Sequence, residues 1–196
     1  MKRTLMYVLS ALILSSMVVI GLSGCGSSSS GTKSPLNPAG TYNVTYNPAS
    51  VVFNCTFTNS NTGATSSTST TVFLGGTITI TTVTNGANTG YIWTETQWMS
   101  EALFVGSSSK SNLSCDSNSC TGTVDYTVNF QPISDGQGGY LSGSMPVAVN
   151  NITISNNNLN GTETIGNINL TDSTHPYFSG SCTWSPNTIS FSGTKQ

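Results

Sequence analysis

The chain is short of charge. Only 6% of its 196 residues are Asp, Glu, Lys or Arg, against about a quarter in an ordinary soluble domain. Beyond the first three positions the basic residues are Lys33, Lys110 and Lys195, set against seven carboxylates. Nucleic-acid binding needs clustered Lys and Arg to neutralise phosphates. The composition therefore argues against a nucleic-acid partner and against electrostatic attraction to anionic lipid.

Motifs of hydrolytic catalysis are also missing. No Gly-x-Ser-x-Gly nucleophile elbow occurs, so Asp172 and His175, the single histidine, are interpreted as loop residues before a proline. Glu95 and Glu101 suggest a glycosidase carboxylate pair, but residue type and proximity alone do not define such a pair. We predict that the protein is not an enzyme.

Metal-binding spacings are likewise absent. The cysteines are irregularly spaced, and one histidine makes a poor zinc set with them. Asp116 and Asp135 lie in polar, Gly- and Ser-containing segments without the spacing of an EF-hand. These segments are interpreted as turns, and we predict no metal site and no cofactor.

The amino terminus carries an export signal. Met1-Lys2-Arg3 is a positive segment, residues 4–20 are almost wholly apolar, and small residues follow, an order typical of a secretory signal peptide. Residues 22–25, Leu-Ser-Gly-Cys, resemble a bacterial lipobox. That resemblance implies cleavage before Cys25 and attachment of acyl chains such as palmitate to it. An uncleaved transmembrane helix is the main alternative, because the apolar run approaches the roughly 20 residues of a span; an ordinary cleaved signal peptide is another.

The lipobox resemblance also implies a location and an organisation. Two or more acyl chains hold a protein stably at a membrane, and Gly26, rather than Asp, after the cysteine favours the outer membrane of a two-membrane cell. Residues 25–40 are Gly-, Ser- and Pro-rich and are predicted to be the lipidated cysteine and a flexible tether. We therefore predict a signal peptide over 1–24, the tether over 25–40 and one domain over 41–196, held in the cell envelope.

With Cys25 acylated, four cysteines remain, which suits an exported domain with two disulfide bonds. Cys115 and Cys120 bracket a short polar loop and are expected to pair with each other. Cys55 and Cys182 would then pair. Four thiols allow three connectivities, so this assignment is an expectation from proximity.

Alternation of apolar and polar residues dominates from residue 41 onward. Val, Ile, Thr, Tyr and Phe recur with a period of two between Gly, Asn and Ser turns, which indicates strands. Asn150-Asn151 inverts the parity and is predicted to be a turn or bulge. About ten strands and no convincing helix predict an antiparallel meander. Gly40-Thr41-Tyr42 resembles the Gly-x-Trp start of lipocalins, which favours a lipocalin-like up-and-down β-barrel; a β-sandwich is the alternative.

One segment concentrates aromatic and acidic side chains. Trp93, Glu95 and Trp98 lie within six residues, and indoles and carboxylates are groups that bind sugars. We predict that a small apolar or sugar-like ligand binds in the barrel mouth near these residues. The alternative is a structural or protein-interaction module of the envelope without a pocket.

Overall fold

The computed structural model describes residues 33–85, 88–96, 104–105, 107–130, 132–135 and 137–196. Cys25, the predicted signal peptide, Trp98 and Glu101 lie outside these ranges. Within them the chain forms fifteen strands in two antiparallel sheets and no helix. The predicted all-β fold is confirmed, with more strands than the sequence suggested.

Eight strands form a closed antiparallel barrel. Each barrel strand pairs with the next barrel strand along the chain, and the last pairs with the first. This is the order of an up-and-down barrel. The barrel strands are β1 (Gly40–Asn47), β4 (Gly76–Asn85), β5 (Asn88–Glu95), β7 (Ser107–Cys115), β8 (Cys120–Phe130), β11 (Ser144–Ser155), β12 (Asn158–Ile165) and β15 (Thr188–Lys195).

Closure rests on the pairing of the chain's two ends. In β1, Val44 lies opposite Gly193 of β15, and β8 pairs with β11 on the far side of the sheet. Every barrel strand therefore has a neighbour on both sides, which removes the open edges of a sandwich. The prediction of a lipocalin-like closed barrel over a β-sandwich is confirmed as an architecture.

The second sheet consists of segments inserted between barrel strands. Two strands separate β1 from β4, two separate β8 from β11, and two separate β12 from β15. In sheet order they are β3 (Ala64–Phe73), β2 (Ser50–Asn59), β14 (Phe178–Ser185), β13 (Ile168–Asp172), β10 (Tyr140–Ser142) and β9 (Ile133–Ser134). The remaining strand, β6 (Phe104–Val105), pairs with the end of β8.

These insertions all belong to one end of the barrel. Antiparallel barrel strands alternate in direction, so β1, β5, β8 and β12 end at the same rim. The three insertions and the β5–β7 connection leave from that rim. The connections at the opposite rim are short turns, as at residues 116–119 and 156–157. We call the rim with the insertions the covered end.

The second sheet packs on the covered end through aromatic side chains. The Phe53 ring of β2 lies 6.0 Å from the Phe130 ring at the end of β8 and stacks 4.3 Å from Trp184. All three side chains are buried. The two sheets thus share one hydrophobic core.

Inside the barrel, alternate side chains point inward as the sequence pattern predicted. Phe191 of β15 packs where Gly161 of β12 leaves room, because a Cβ at Gly161 would lie 2.5 Å from the Phe191 ring. At residues 150–151, β11 shifts register against both neighbours, and Asn151 has a φ of 53°. The predicted bulge is confirmed, and asparagine suits it because it tolerates the left-handed region better than most residues.

Both expected disulfide bonds are present. Cys55 of β2 is bonded to Cys182 of β14, and Cys115 to Cys120 across the β7–β8 hairpin. The Asp116 carboxylate caps that hairpin, accepting hydrogen bonds from the backbone N–H groups of Asn118 and Ser119.

The last residues of the predicted tether contact the barrel. Leu36 packs against the core, and its N–H donates to the Asp116 carbonyl oxygen at 2.6 Å. The Tyr42 hydroxyl donates to the Pro38 carbonyl oxygen at 2.7 Å. The contacts of the barrel therefore extend into the predicted tether as far as Leu36.

Candidate ligand-binding site

Trp93 and Glu95 lie inside the barrel. Alternation in β5 points both side chains inward, and each is only 1% exposed. The Trp93 indole N–H donates to Glu95 Oε1 at 3.0 Å, and the indole packs edge-on at 6.2 Å from the Phe191 ring. The Trp93 indole therefore packs inside the core and cannot stack on a sugar at the protein surface. Trp98, predicted to join them, lies outside the described residues.

A second glutamate shares this interior. Glu163 of β12 is fully buried, and the Tyr126 hydroxyl of β8 contacts Glu95 Oε2 and lies 3.5 Å from Glu163 Oε1. A phenol has one proton to donate, so it donates to one carboxylate at a time. Tyr126 therefore links two carboxylates that are both removed from water.

Tyr46 of β1 completes the group. Its side chain is buried, and its hydroxyl has no hydrogen-bond partner. Burial, followed by the charges of Glu95 and Glu163, raises the pKa of Tyr46 well above its usual value. Burial and the same two charges raise the pKa of Tyr126. Both phenols therefore keep their protons at neutral pH and can donate them.

We call Tyr46, Trp93, Glu95, Tyr126 and Glu163 the interior polar cluster. Glu95 is the last residue of β5, Tyr46 is one residue from the end of β1, and Glu163 is two from the end of β12. Since these strands end at the covered end, the cluster lies toward that rim. The predicted barrel-mouth position of Trp93 and Glu95 therefore corresponds to the rim beneath the second sheet.

Sequence reasoning missed three members of the cluster. Tyr126 and Glu163 stand at inward parity with apolar neighbours in their strands, and Tyr46 does so in β1. Parity alone would have placed two acids and two phenols inside a closed barrel. It would not have placed them together, because that depends on the register of strands far apart in sequence.

The chemistry of the cluster is that of a hydrogen-bond acceptor site. In the described residues the buried charged side chains are Glu95, Glu163 and Asp172, so two of the three belong to this cluster. Groups that donate hydrogen bonds stabilise carboxylates.

Comparison with protein-family models, with curated proteins and with solved structures finds no match to this chain. Within the ranges that the structure describes, no helix is long and apolar enough to span a membrane.

Proposed function

We propose that this protein is an exported lipoprotein, anchored in the cell envelope through Cys25, whose barrel binds a small ligand without chemical turnover. The ligand contacts the interior polar cluster and is sugar-like, presenting several hydroxyl or amino donors. The membrane is the partner at the lipid anchor, and the outer membrane is the location that the lipobox resemblance favours.

The unpaired Tyr46 hydroxyl beside two buried carboxylates carries this proposal. A barrel of eight strands is just wide enough to be filled by side chains or to hold one small ligand. Burying a polar group such as the Tyr46 hydroxyl without a partner costs about 1–3 kcal/mol. Apolar side chains would avoid that cost in a purely structural core, whereas perturbed, buried titratable groups are concentrated at functional sites.

The acceptor-rich cluster favours a sugar-like ligand over an apolar one. Glu95 and Glu163 offer oxygen atoms that bind hydroxyl or amino protons, while Tyr46 can donate or accept. A hydrocarbon would leave the Tyr46 hydroxyl without a hydrogen-bond partner. A non-enzymatic role is favoured because no Gly-x-Ser-x-Gly nucleophile elbow occurs in the sequence.

The alternative of an interaction module gains less support. Such a module is expected to expose a contiguous apolar patch of more than a few hundred Å². The large apolar side chains exposed in the described residues belong to four strands, β2, β3, β4 and β10: Val52, Phe73, Val83 and Tyr140. Val52 and Phe73 lie diagonally on the same face of the β2–β3 pair, and two such side chains are ordinary for a protein surface.

The ligand proposal predicts a specific change at the Trp93 indole N–H, because that group donates to Glu95. The ¹⁵N-labelled full chain in detergent would be titrated with glucose, glucosamine and cyclohexanol, a ring of similar size with a single hydroxyl. We expect a saturable shift of the Trp93 indole resonance with glucose or glucosamine and none with cyclohexanol. The Trp184 indole of β14 is the internal reference.

The matched variant is Glu163→Gln, which removes one carboxylate without touching the Trp93–Glu95 hydrogen bond. It should abolish the ligand-induced shift while leaving the free spectrum largely intact. An equal response to cyclohexanol, or an unaltered response in Glu163→Gln, would count against the site. Hydrolysis of a chromogenic glycoside by the wild type but not by Glu163→Gln would contradict the non-enzymatic part of the proposal.

A further inference from the structure

Two loops of the second sheet bring three metal-ligating side chains together. Asp135 follows β9, Asp172 ends β13, and His175 lies in the turn before β14. His175 Nδ1 is 2.6 Å from Asp135 Oδ2 and 3.9 Å from Asp172 Oδ2. One ligand atom from each residue lies within 4.8 Å of the other two. The cluster is separate in sequence from the interior polar cluster and uses none of its residues.

The backbone fixes both carboxylates so that one oxygen of each faces the cluster. Asp135 Oδ1 accepts from the N–H groups of Gln137 and Gly139 at 2.7 and 2.8 Å. Asp172 Oδ1 accepts from the N–H groups of Thr174 and His175 at 2.7 and 2.9 Å. The two Oδ2 atoms are left to point at His175. Hydrogen bonds of this kind orient metal ligands from behind.

Asp172 Oδ2 is the atom that most needs an explanation. The residue is 3% exposed, and this oxygen has no hydrogen-bond partner. An unpaired buried carboxylate oxygen is costly, and a bound cation removes that cost. His175 keeps 22% of its side chain exposed, which leaves a route to the cluster from solvent.

Gly139 packs directly against the three ligand atoms, and no side chain would fit at this position. A Cβ on Gly139 would lie 2.5 Å from Asp172 Oδ2, 2.6 Å from His175 Nδ1 and 2.9 Å from Asp135 Oδ2. A residue without a side chain is therefore needed where the three ligand atoms converge.

We propose that Asp135, Asp172 and His175 form a binding site for a divalent transition-metal ion, with Zn²⁺ as the best match. In a tetrahedral site with bonds of about 2.0–2.1 Å, neighbouring ligand atoms are about 3.3 Å apart. The two His175 distances lie on either side of that value, so small side-chain shifts suffice. An imidazole nitrogen among the ligands favours Zn²⁺ over Ca²⁺ and Mg²⁺, which prefer oxygen ligands alone.

The ion would join two loops that are distant in sequence. Asp135 belongs to the insertion after β8, while Asp172 and His175 belong to the insertion after β12. Three protein ligands leave a fourth position for water. The metal thus ties together the insertions on one side of the covered end, and its loss would loosen them relative to each other.

The test is Zn²⁺ binding to the full chain in detergent, after removal of any affinity tag and treatment with a chelator. Isothermal titration calorimetry should give one Zn²⁺ per chain and much weaker binding of Ca²⁺. In thermal unfolding, Zn²⁺ should raise the unfolding midpoint of the protein. Asp172→Asn should weaken Zn²⁺ binding by at least about tenfold. His175→Gln, at a partly exposed position, is the second variant should Asp172→Asn fold poorly.

Asp116→Asn is the matched control. Asp116 also accepts hydrogen bonds from the N–H groups two and three residues ahead, but in the β7–β8 hairpin, outside this cluster, and its substitution should leave Zn²⁺ affinity unchanged. Unchanged Zn²⁺ affinity in both Asp172→Asn and His175→Gln would overturn the site. A loss of Zn²⁺ binding in Glu163→Gln instead would move it to the barrel interior, and tighter binding of Ca²⁺ than of Zn²⁺ would overturn the choice of metal.

Discussion

Replacing Cys55 and Cys182 by alanine is expected to lower the free energy of unfolding by about 5 kcal/mol. The bridge joins residues 127 positions apart, and in the chain-entropy model a long closed loop restricts the unfolded chain most. It also ties β2, from the first insertion, to β14, from the last. Urea denaturation of the oxidised wild type and of the double variant, followed by tryptophan fluorescence, measures the difference.

The hairpin disulfide provides the matched control. Cys115 and Cys120 are five positions apart, so their replacement by alanine should cost about 2 kcal/mol. A loss for the hairpin pair equal to that for Cys55 and Cys182 would contradict the loop-closure explanation. It would indicate that local packing, and not the connection between insertions, determines the contribution of each bridge.

Cys25→Ser is expected to lose its acyl groups and to keep residues 1–24, because serine offers no thiol for acylation and the lipobox resemblance places cleavage before an acylated cysteine. The wild-type chain should have the mass of residues 25–196 plus acyl groups, and two or more acyl chains hold a protein stably in a bilayer. Ser27→Ala, two residues away in the predicted tether, should be cleaved and acylated like the wild type. Fractionation of cells followed by intact-mass measurement makes the comparison.

The same experiment separates the lipoprotein proposal from its main alternative. If residues 4–20 served as an uncleaved transmembrane helix, the wild-type chain itself would keep residues 1–24 and carry no acyl groups. That result would contradict lipid anchoring, although the barrel would be unaffected.

Strand type follows from local chemistry, whereas barrel closure depends on the pairing of β1 with β15 at opposite ends of the chain. A period of two along β1 and β15, with aromatic and β-branched residues on one face, predicts a half-buried strand in each case. The change of parity at Asn150-Asn151 predicts the bulge in β11. The division between the barrel and the second sheet is different. The strands β2 and β14 alternate in the same way as barrel strands, so alternation cannot show that they belong to insertions.

The candidate sites show the same limit. Trp93 and Glu95 can be grouped from the sequence because they are two residues apart. Tyr126 and Glu163 lie beside them only because of the register of strands that are distant in sequence. Asp135 and Asp172 look like ordinary turn residues in the sequence, and each does cap a turn. Their second carboxylate oxygens meet at His175 because two insertions fold side by side, which no local pattern encodes.

The pairing of the thiols was easier to predict. Cys115 and Cys120 bracket a hairpin loop, and removing the acylated Cys25 leaves only Cys55 and Cys182. Their bond then follows from counting, given that the short-range pair forms first. The structure adds that these two residues face each other directly across β2 and β14.

Native mass spectrometry of the full chain, extracted gently from its own envelope, tests the ligand proposal most directly because it does not require the ligand to be known in advance. The proposal predicts a population carrying one extra small molecule of discrete mass, polar enough to be released into water on unfolding. That population should be absent from Glu163→Gln and present in Asp116→Asn. A wild-type spectrum with the acylated chain alone, or an identical bound mass in Glu163→Gln, would contradict binding at the interior polar cluster.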